Sequence, residues 1–183
     1  MTTDRSLVRA SKWMSLVLRH RPADFGVELD GAGWARVDDL LAAAGRAGIP
    51  LNVATLRRVV EENDKRRFAL SDDGTRIRAS QGHSVEVELG LEPVEPPAVL
   101  FHGTATRFVD LIRAEGLVPG ARQHVHLSAD EGTAVSVGSR HGRPAVLRVD
   151  AARMHADGHR FFRSANGVWL ADAVPGEYLK FPD

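Results

Sequence analysis

Hydrophobic residues near the start of the chain follow helical spacing. Apolar side chains recur every three or four positions from Leu7 to Leu18, and Pro22 follows. This spacing predicts a helix that stops before the proline. Arg19 and His20 are therefore expected at its C-terminal end.

Two more helices and a hairpin are predicted next. Residues 30–48 open on turn glycines and then place apolar residues along one face up to Gly45 or Gly48, while Asn52 is a suitable N-cap for a third helix. Residues 66–80 alternate apolar and polar positions on both sides of an Asp-Gly turn, which predicts a β-hairpin. Three short helices and a hairpin indicate a winged-helix-like lobe.

A change of pattern divides the chain. Residues 88–97 hold three prolines and three glutamates without periodicity, as linkers do. We therefore predict one lobe at 1–90 and another at 98–183. The second contains five short apolar segments typical of strands and two helical stretches at 107–115 and 130–139. The predicted fold class is α+β.

Composition excludes several classes of protein. The chain is 43% hydrophobic and 26% charged, no apolar run approaches the length of a membrane span, and cysteine is absent. Disulfides and thiolate chemistry are thereby excluded, and a membrane role is not expected. We expect a cytoplasmic protein.

The charges balance in each half. Residues 1–90 carry 14 basic and 13 acidic groups, and residues 91–183 carry 10 and 11. Sequence-independent binding of nucleic acids usually shows an excess of positive charge. Any recognition of phosphate by this chain must therefore be local and made by placed residues.

In the first half, each candidate for such a role also has a structural explanation. Arg19 and His20 can stabilise a helix C-terminus, or they can form half of a phosphate site in which the imidazole transfers a proton. Arg67 lies in a charged run that is typical of a solvated turn. It also directly precedes a strand residue, and a rigid strand could direct its side chain towards a ligand. Residues 81–84, Gln-Gly-His-Ser, can form an exit turn or hydrogen-bond phosphate and sugar.

The second half carries histidines and glycines on predicted strands and turns. His102 ends an apolar strand and is followed by Gly103 and Thr104, which allow a close approach of ligand to backbone. His124 and His126 share one face of a strand. A zinc site is not expected, because no cysteine or HExxH set completes a ligand shell. The glycine segments 137–144 and 164–170 match neither a Walker loop nor a dinucleotide fingerprint.

Taken in order, the blocks LRHRP, ENDKRRF, IRASQGHS, LFHGT, RQHVHLS, VGSRHG and NGVWL resemble the Tpt1/KptA family of NAD-dependent RNA 2'-phosphotransferases. The resemblance covers nearly the whole chain. It implies a winged-helix-like lobe followed by an ADP-ribosyltransferase-like lobe that binds NAD. Ala171 departs from the family, in which threonine is common after this last block.

The resemblance also implies roles for individual residues. The catalytic tetrad corresponds to Arg19, His20, Arg67 and Arg122. The implied NAD-binding residues are His102, Gly103, Thr104, His126, Leu127, Ser128, Gly138, Asn166, Gly167 and Val168, with His124 as an alternative to His126. No metal is implied.

The family chemistry has two steps. An internal RNA 2'-phosphate attacks the anomeric carbon of the nicotinamide ribose and expels nicotinamide. The ribose 2''-hydroxyl then attacks the phosphorus and releases 2'-hydroxyl RNA and ADP-ribose 1'',2''-cyclic phosphate. Arginines can orient the phosphate and stabilise charge on its oxygens, and histidine suits the second step. The expected substrate is a tRNA-like RNA from tRNA splicing, and we expect a monomer.

Two other functions fit the same residues. The site could ADP-ribosylate terminal phosphates of RNA or DNA and stop there, which would leave stable ADP-ribosyl caps. Alternatively, the chain could be a winged-helix regulator that senses NAD without catalysis. The balance of Arg57 and Arg58 against Glu61 and Glu62 on the third helix argues weakly against DNA binding.

Overall fold

The computed structural model describes residues 5–183 and divides the chain into two compact units, Met1–Gly90 and Leu91–Asp183. Over the described residues it contains six α-helices and three small antiparallel sheets. The α+β class predicted from the sequence is confirmed. The winged-helix and ADP-ribosyltransferase-like identities of the lobes stay predictions.

Three helices of the first unit pack around one apolar core. They are α1 (Arg5–Arg19), α2 (Val37–Arg46) and α3 (Val53–Glu61). The Asn52 side chain accepts a hydrogen bond from the amide of Thr55 at 2.8 Å and caps α3 as predicted. Helix α1 buries its apolar face, including Met14 and Leu18, against this core.

A three-stranded sheet completes the first unit. Its strands are β1 (Ala35–Arg36), β2 (Phe68–Leu70) and β3 (Arg76–Ala79), in the order β1-β3-β2. The predicted hairpin is confirmed, with Phe68 paired to Ala79. Its turn is held by the Asp73 carboxylate, whose pKa is lowered to about 2 by hydrogen bonds from the Thr75 amide and the hydroxyls of Ser71 and Thr75.

The second unit contains two three-stranded sheets and three helices. In chain order its elements are β4 (Val99–Ala105), α4 (Val109–Glu115), β5 (Val125–Leu127), α5 (Glu131–Gly138), β6 (Pro144–Asp150), α6 (Ala151–Ala156), β7 (Phe161–Arg163), β8 (Trp169–Ala171) and β9 (Leu179–Lys180). The strand orders are β4-β6-β9 and β5-β8-β7. Phe101 and Ser128 exchange backbone hydrogen bonds of 2.8 Å, so β4 runs beside the end of β5.

Two glycines allow α5 to pack against β4. A Cβ added to Gly103 would lie 1.8 Å from the Ala134 carbonyl oxygen, and one added to Gly138 would lie 2.5 Å from that of Thr104. Neither position can hold a side chain without moving backbone. The close packing of α5 on β4 therefore depends on glycine at both positions.

Within residues 5–183, no helix combines the length and the apolar character needed to cross a membrane.

Candidate functional site

The end of α1 is joined to the segment that leaves β3. The Ser84 amide donates to the Arg19 carbonyl at 2.9 Å, and the Ser84 hydroxyl lies 2.8 Å from His20 Nδ1. The helix C-terminus thus receives a backbone donor from a residue 65 positions later. Arg19 and His20 are held at a defined place by tertiary contacts.

Gly82 lets this segment pass close to the Arg19 side chain. Its φ of +87° lies in the region that favours glycine, and an added Cβ would lie 3.6 Å from Arg19 Nε. A residue with a Cβ would be strained by this backbone conformation, although the Cβ itself would make only an ordinary van der Waals contact with Arg19.

Arg67 is bonded to the same segment. The Ser80 amide donates to the Arg67 carbonyl at 2.9 Å and so extends the β2–β3 ladder by one pair. Residues 80–84 therefore contact both Arg67 and the end of α1. The structure brings the three predicted catalytic residues of the first unit to one short segment.

His83, within that segment, is buried. Its side chain is 1% exposed, and neither ring nitrogen has a hydrogen-bond partner among the described residues. Burial, followed by the positive charges of Arg19, His20 and Arg78, lowers the pKa of His83 to about 4. The imidazole is neutral at neutral pH and is not presented to solvent.

In the second unit, His102 has a fixed tautomer. Its Nδ1 lies 3.0 Å from the His126 carbonyl oxygen, which can only accept, so Nδ1 carries the proton. Burial lowers the pKa of His102, and the ring is neutral. Its Nε2 is therefore an acceptor for a ligand hydroxyl or amide.

His126 and Arg122 form a second contact next to it. Arg122 Nη1 donates to His126 Nδ1 at 2.9 Å. Burial and the positive charge of Arg140 lower the pKa of Arg122. Arg140, which follows α5, is a cation of this region that the sequence did not single out; only its place in the VGSRHG block offered a signal. Neighbouring guanidiniums favour a bound anion.

The two histidines of the HVHLS block have different surroundings. His124 Nε2 lies 3.9 Å from Asp172, and its ring is 5.8 Å from that of Phe162. His126 is connected to His102 and Arg122 instead. This geometry favours His126 over His124 as the residue of the site.

Other predicted NAD-binding residues have structural roles. Leu127 is buried in the core, and Ser128 is paired with Phe101. Gly103 and Gly138 are required by the packing of α5, and the Thr104 side chain is buried. These positions therefore contribute to the packing and backbone pairing of the second unit.

Asn166, Gly167 and Val168 form the turn between β7 and β8. Buried Ser164 holds this turn, because its hydroxyl receives the Val168 amide at 3.1 Å and bonds the Asn166 side chain. Gly167 has a φ of +82°. Since Leu127 pairs with Trp169, the register places Val168 near Ser128.

A groove of about 550 Å³ lies elsewhere in the first unit, lined by Arg36, Val37, Asp38, Val53, Gly74, Thr75 and Arg76. It contains none of the predicted site residues. Within the described part of the chain, no three His, Asp or Glu side chains are grouped as metal ligands would be.

Comparison with known proteins agrees with the family resemblance indicated by the sequence blocks. Residues 5–173 match the sequence model of the family described as RNA 2'-phosphotransferase, Tpt1 / KptA family. The chain is 63% identical over 169 residues to the "Probable RNA 2'-phosphotransferase" of Agrobacterium fabrum, covering 92% of this chain and 91% of the relative. Proteins of the same name from Burkholderia lata and Rhodopirellula baltica are 57% and 54% identical, over 96% and 100% of this chain and 91% and 100% of the relatives. The chain therefore belongs to the Tpt1/KptA family of RNA 2'-phosphotransferases.

Proposed function

We propose that this protein removes an internal 2'-phosphate from RNA by transferring it to NAD. The observation that carries the proposal is the attachment of Arg19, His20 and Arg67 to residues 80–84 in a chain of this family. Two guanidiniums and an imidazole can bind a phosphate dianion through charge-assisted hydrogen bonds.

The proposed reaction begins at the anomeric carbon of the nicotinamide ribose. A 2'-phosphate oxygen forms a bond to this carbon as the bond to nicotinamide breaks. The ribose 2''-hydroxyl then attacks phosphorus, the bond to the RNA 2'-oxygen breaks, and that oxygen takes a proton. The products are nicotinamide, 2'-hydroxyl RNA and ADP-ribose 1'',2''-cyclic phosphate.

The first-unit residues are assigned roles by their chemistry. Arg19 and Arg67 orient the phosphate and stabilise charge on its oxygens. His20, held by Ser84, serves the second step as an acid or base or as a phosphate donor. Arg122 is the remaining member of the tetrad that the family implies, and its proposed role is to stabilise negative charge during the reaction.

The second unit has donors and acceptors that suit NAD. His102 offers an acceptor nitrogen, and the Arg122 and Arg140 guanidiniums suit the negative charge of phosphate groups. The turn at Asn166–Val168 lies at the same end of β5 as Ser128. We propose that NAD is a co-substrate bound by these residues and that no metal is required.

The proposed substrate is a tRNA-like RNA, and the protein is proposed to act as a cytoplasmic monomer. The balanced charge of each half fits recognition of one phosphate by placed arginines better than sequence-independent binding.

The decisive experiment combines the protein with NAD, a chelator and a short RNA that carries one internal 2'-phosphate. Nicotinamide, ADP-ribose cyclic phosphate and the RNA product are measured by chromatography and mass spectrometry. The same RNA with a 2'-hydroxyl is the control and should release no nicotinamide.

A parallel reaction uses RNA and DNA with terminal phosphates. Stable ADP-ribosyl caps without cyclic phosphate, together with no reaction at the 2'-phosphate, would replace the proposal with terminal ADP-ribosylation. Binding of NAD without turnover of any of these substrates would favour the regulator.

A further inference from the structure

Arg66 has an unusual backbone conformation. Its φ of +42° is the only positive φ of a non-glycine residue among residues 5–183. A left-handed conformation is unfavourable for arginine, since its Cβ crowds the backbone. Surrounding contacts must therefore stabilise this residue, which directly precedes Arg67.

Ser80 provides contacts on both sides of Arg67. Its hydroxyl donates to the Arg66 carbonyl at 2.9 Å, and its amide donates to the Arg67 carbonyl at 2.9 Å. These carbonyls belong to the peptide planes before and after the Arg67 Cα atom. Because peptide groups are planar, fixing both planes fixes the direction of the Arg67 Cα–Cβ bond.

The support for Arg66 continues on its other side. The Arg66 amide donates to the Asn63 carbonyl at 2.8 Å, and the Asn63 side chain accepts from the Lys65 amide at 3.1 Å. Ser80 itself is 6% exposed, so its hydroxyl bond is shielded from competing water. The turn is thus closed by Asn63 and anchored to the sheet by Ser80.

We propose that Ser80 is a positioning residue that aims the Arg67 guanidinium at the phosphate of the RNA. The proposal rests on the proposed function for the identity of the phosphate. Ser80 acts through the backbone of Arg66 and Arg67 and does not itself touch substrate.

The first test measures how much a 2'-phosphate contributes to RNA binding. Fluorescence anisotropy gives Kd for one short RNA with a 2'-phosphate and for its 2'-hydroxyl counterpart. The ratio of interest is the Kd of the 2'-hydroxyl RNA divided by the Kd of the 2'-phosphate RNA. We expect Ser80→Ala to reduce this ratio about fivefold, because one shielded hydrogen bond is lost. Ser80→Thr, which keeps the hydroxyl, should restore the ratio.

Two comparisons separate positioning from general stability. Ser71→Ala removes a hydroxyl from the turn at the other end of the same hairpin and should leave the ratio unchanged. Adding Ser80→Ala to Arg67→Ala should cause no further loss, because Ser80 acts through Arg67. A further loss in the double variant, or the same effect from Ser71→Ala, would overturn the proposal.

A second measurement requires no RNA. Backbone ¹⁵N relaxation of the full chain should show the Arg66 and Arg67 amides to be as rigid as those of β2, and Ser80→Ala should make them more mobile. Mobile amides in the wild-type protein would disprove positioning even if Ser80→Ala fails to fold. Rigid amides, combined with no preference for 2'-phosphorylated RNA, would contradict the proposed function and leave the positioning of Arg67 supported.

Discussion

At the scale of single residues, His83 couples the fold of the first unit to pH. Its pKa is lowered to about 4 by burial and neighbouring positive charge, whereas the histidine of an unfolded chain titrates near its ordinary pKa of 6.5. The unfolded state therefore binds the proton more readily between these values. Stability is full above about pH 6.5 and decreases as pH falls towards 4.

We predict that this histidine alone accounts for a loss of about 3 kcal/mol in unfolding free energy between pH 7 and pH 4. Urea unfolding of the wild-type chain and of His83→Gln, which cannot titrate, measures the difference at each pH. Between pH 7 and pH 4, the difference in unfolding free energy between the two proteins should change by this amount in favour of the variant. A gap independent of pH would show that His83 is not buried as a neutral ring.

His102 gives a spectroscopic prediction. Because the His126 carbonyl accepts from Nδ1, the neutral ring should carry its proton there and leave Nε2 bare. Long-range ¹H–¹⁵N correlation spectra should show this less common tautomer, and it should persist below pH 6.5 because burial lowers the pKa. A proton on Nε2 would contradict the acceptor role assigned to that atom.

At the scale of elements, the long periodic segments were predictable. Helix α1, the Asn52 cap of α3 and the β2–β3 hairpin have local signals, namely apolar spacing, a capping side chain and an Asp-Gly turn. The pattern missed β1, α6 and β7. The bounds of these elements depend on pairing with other strands or on the Asp150 cap, which apolar spacing does not reveal.

The residues of the candidate site could not be predicted from single short segments of the sequence. Each residue of LRH and DKRRF had a sound structural explanation, and only the order of the blocks selected them. The bond between His20 and Ser84 joins residues 64 positions apart, and the left-handed φ of Arg66 has no compositional signal in an arginine. Tertiary contacts determine both features.

Gly103 shows how an interpretation changes at this scale. The sequence suggested that this glycine admits a ligand, but the space beside it is filled by α5. We predict that Gly103→Ala lowers the unfolding free energy of the protein by about 3 kcal/mol or more, because helix and strand must separate. Thermal and urea unfolding monitored by circular dichroism measure the loss.

Gly132→Ala is the matched control on α5. An added Cβ there meets only the Asp130 carboxylate at 3.4 Å. Alanine also favours a helix over glycine, so stability should stay equal or rise slightly. Equal losses in the two variants would contradict the packing explanation.

At the scale of the whole molecule, the charge is balanced while the candidate phosphate ligands are arginines. A chain without net charge has little general attraction for RNA, so the loss of one placed guanidinium should matter more than the loss of another surface charge. We predict that Arg122→Ala lowers the rate of 2'-phosphate removal about a hundredfold or more. Arg113→Ala, which removes an exposed arginine from α4, should leave it unchanged.

Circular dichroism should show both variants folded, since Arg122 is an exposed residue whose guanidinium bonds the His126 ring. Normal turnover by Arg122→Ala would remove this residue from the proposed mechanism. Equal losses in Arg122→Ala and Arg113→Ala would instead indicate a general electrostatic effect.

The proposed two-step reaction predicts different effects for the loss of His20 and the loss of an arginine. If His20 serves the second step, His20→Ala should slow the loss of the RNA phosphate more than the release of nicotinamide, so ADP-ribosylated RNA accumulates. Single-turnover reactions resolved by gel electrophoresis measure both species, with Arg9→Ala on the exposed face of α1 as the control.

Since the Ser84 hydroxyl holds His20, Ser84→Ala should show the same accumulation to a smaller degree. Turnover by His20→Ala at the wild-type rate without the intermediate would show that the second step proceeds without this imidazole.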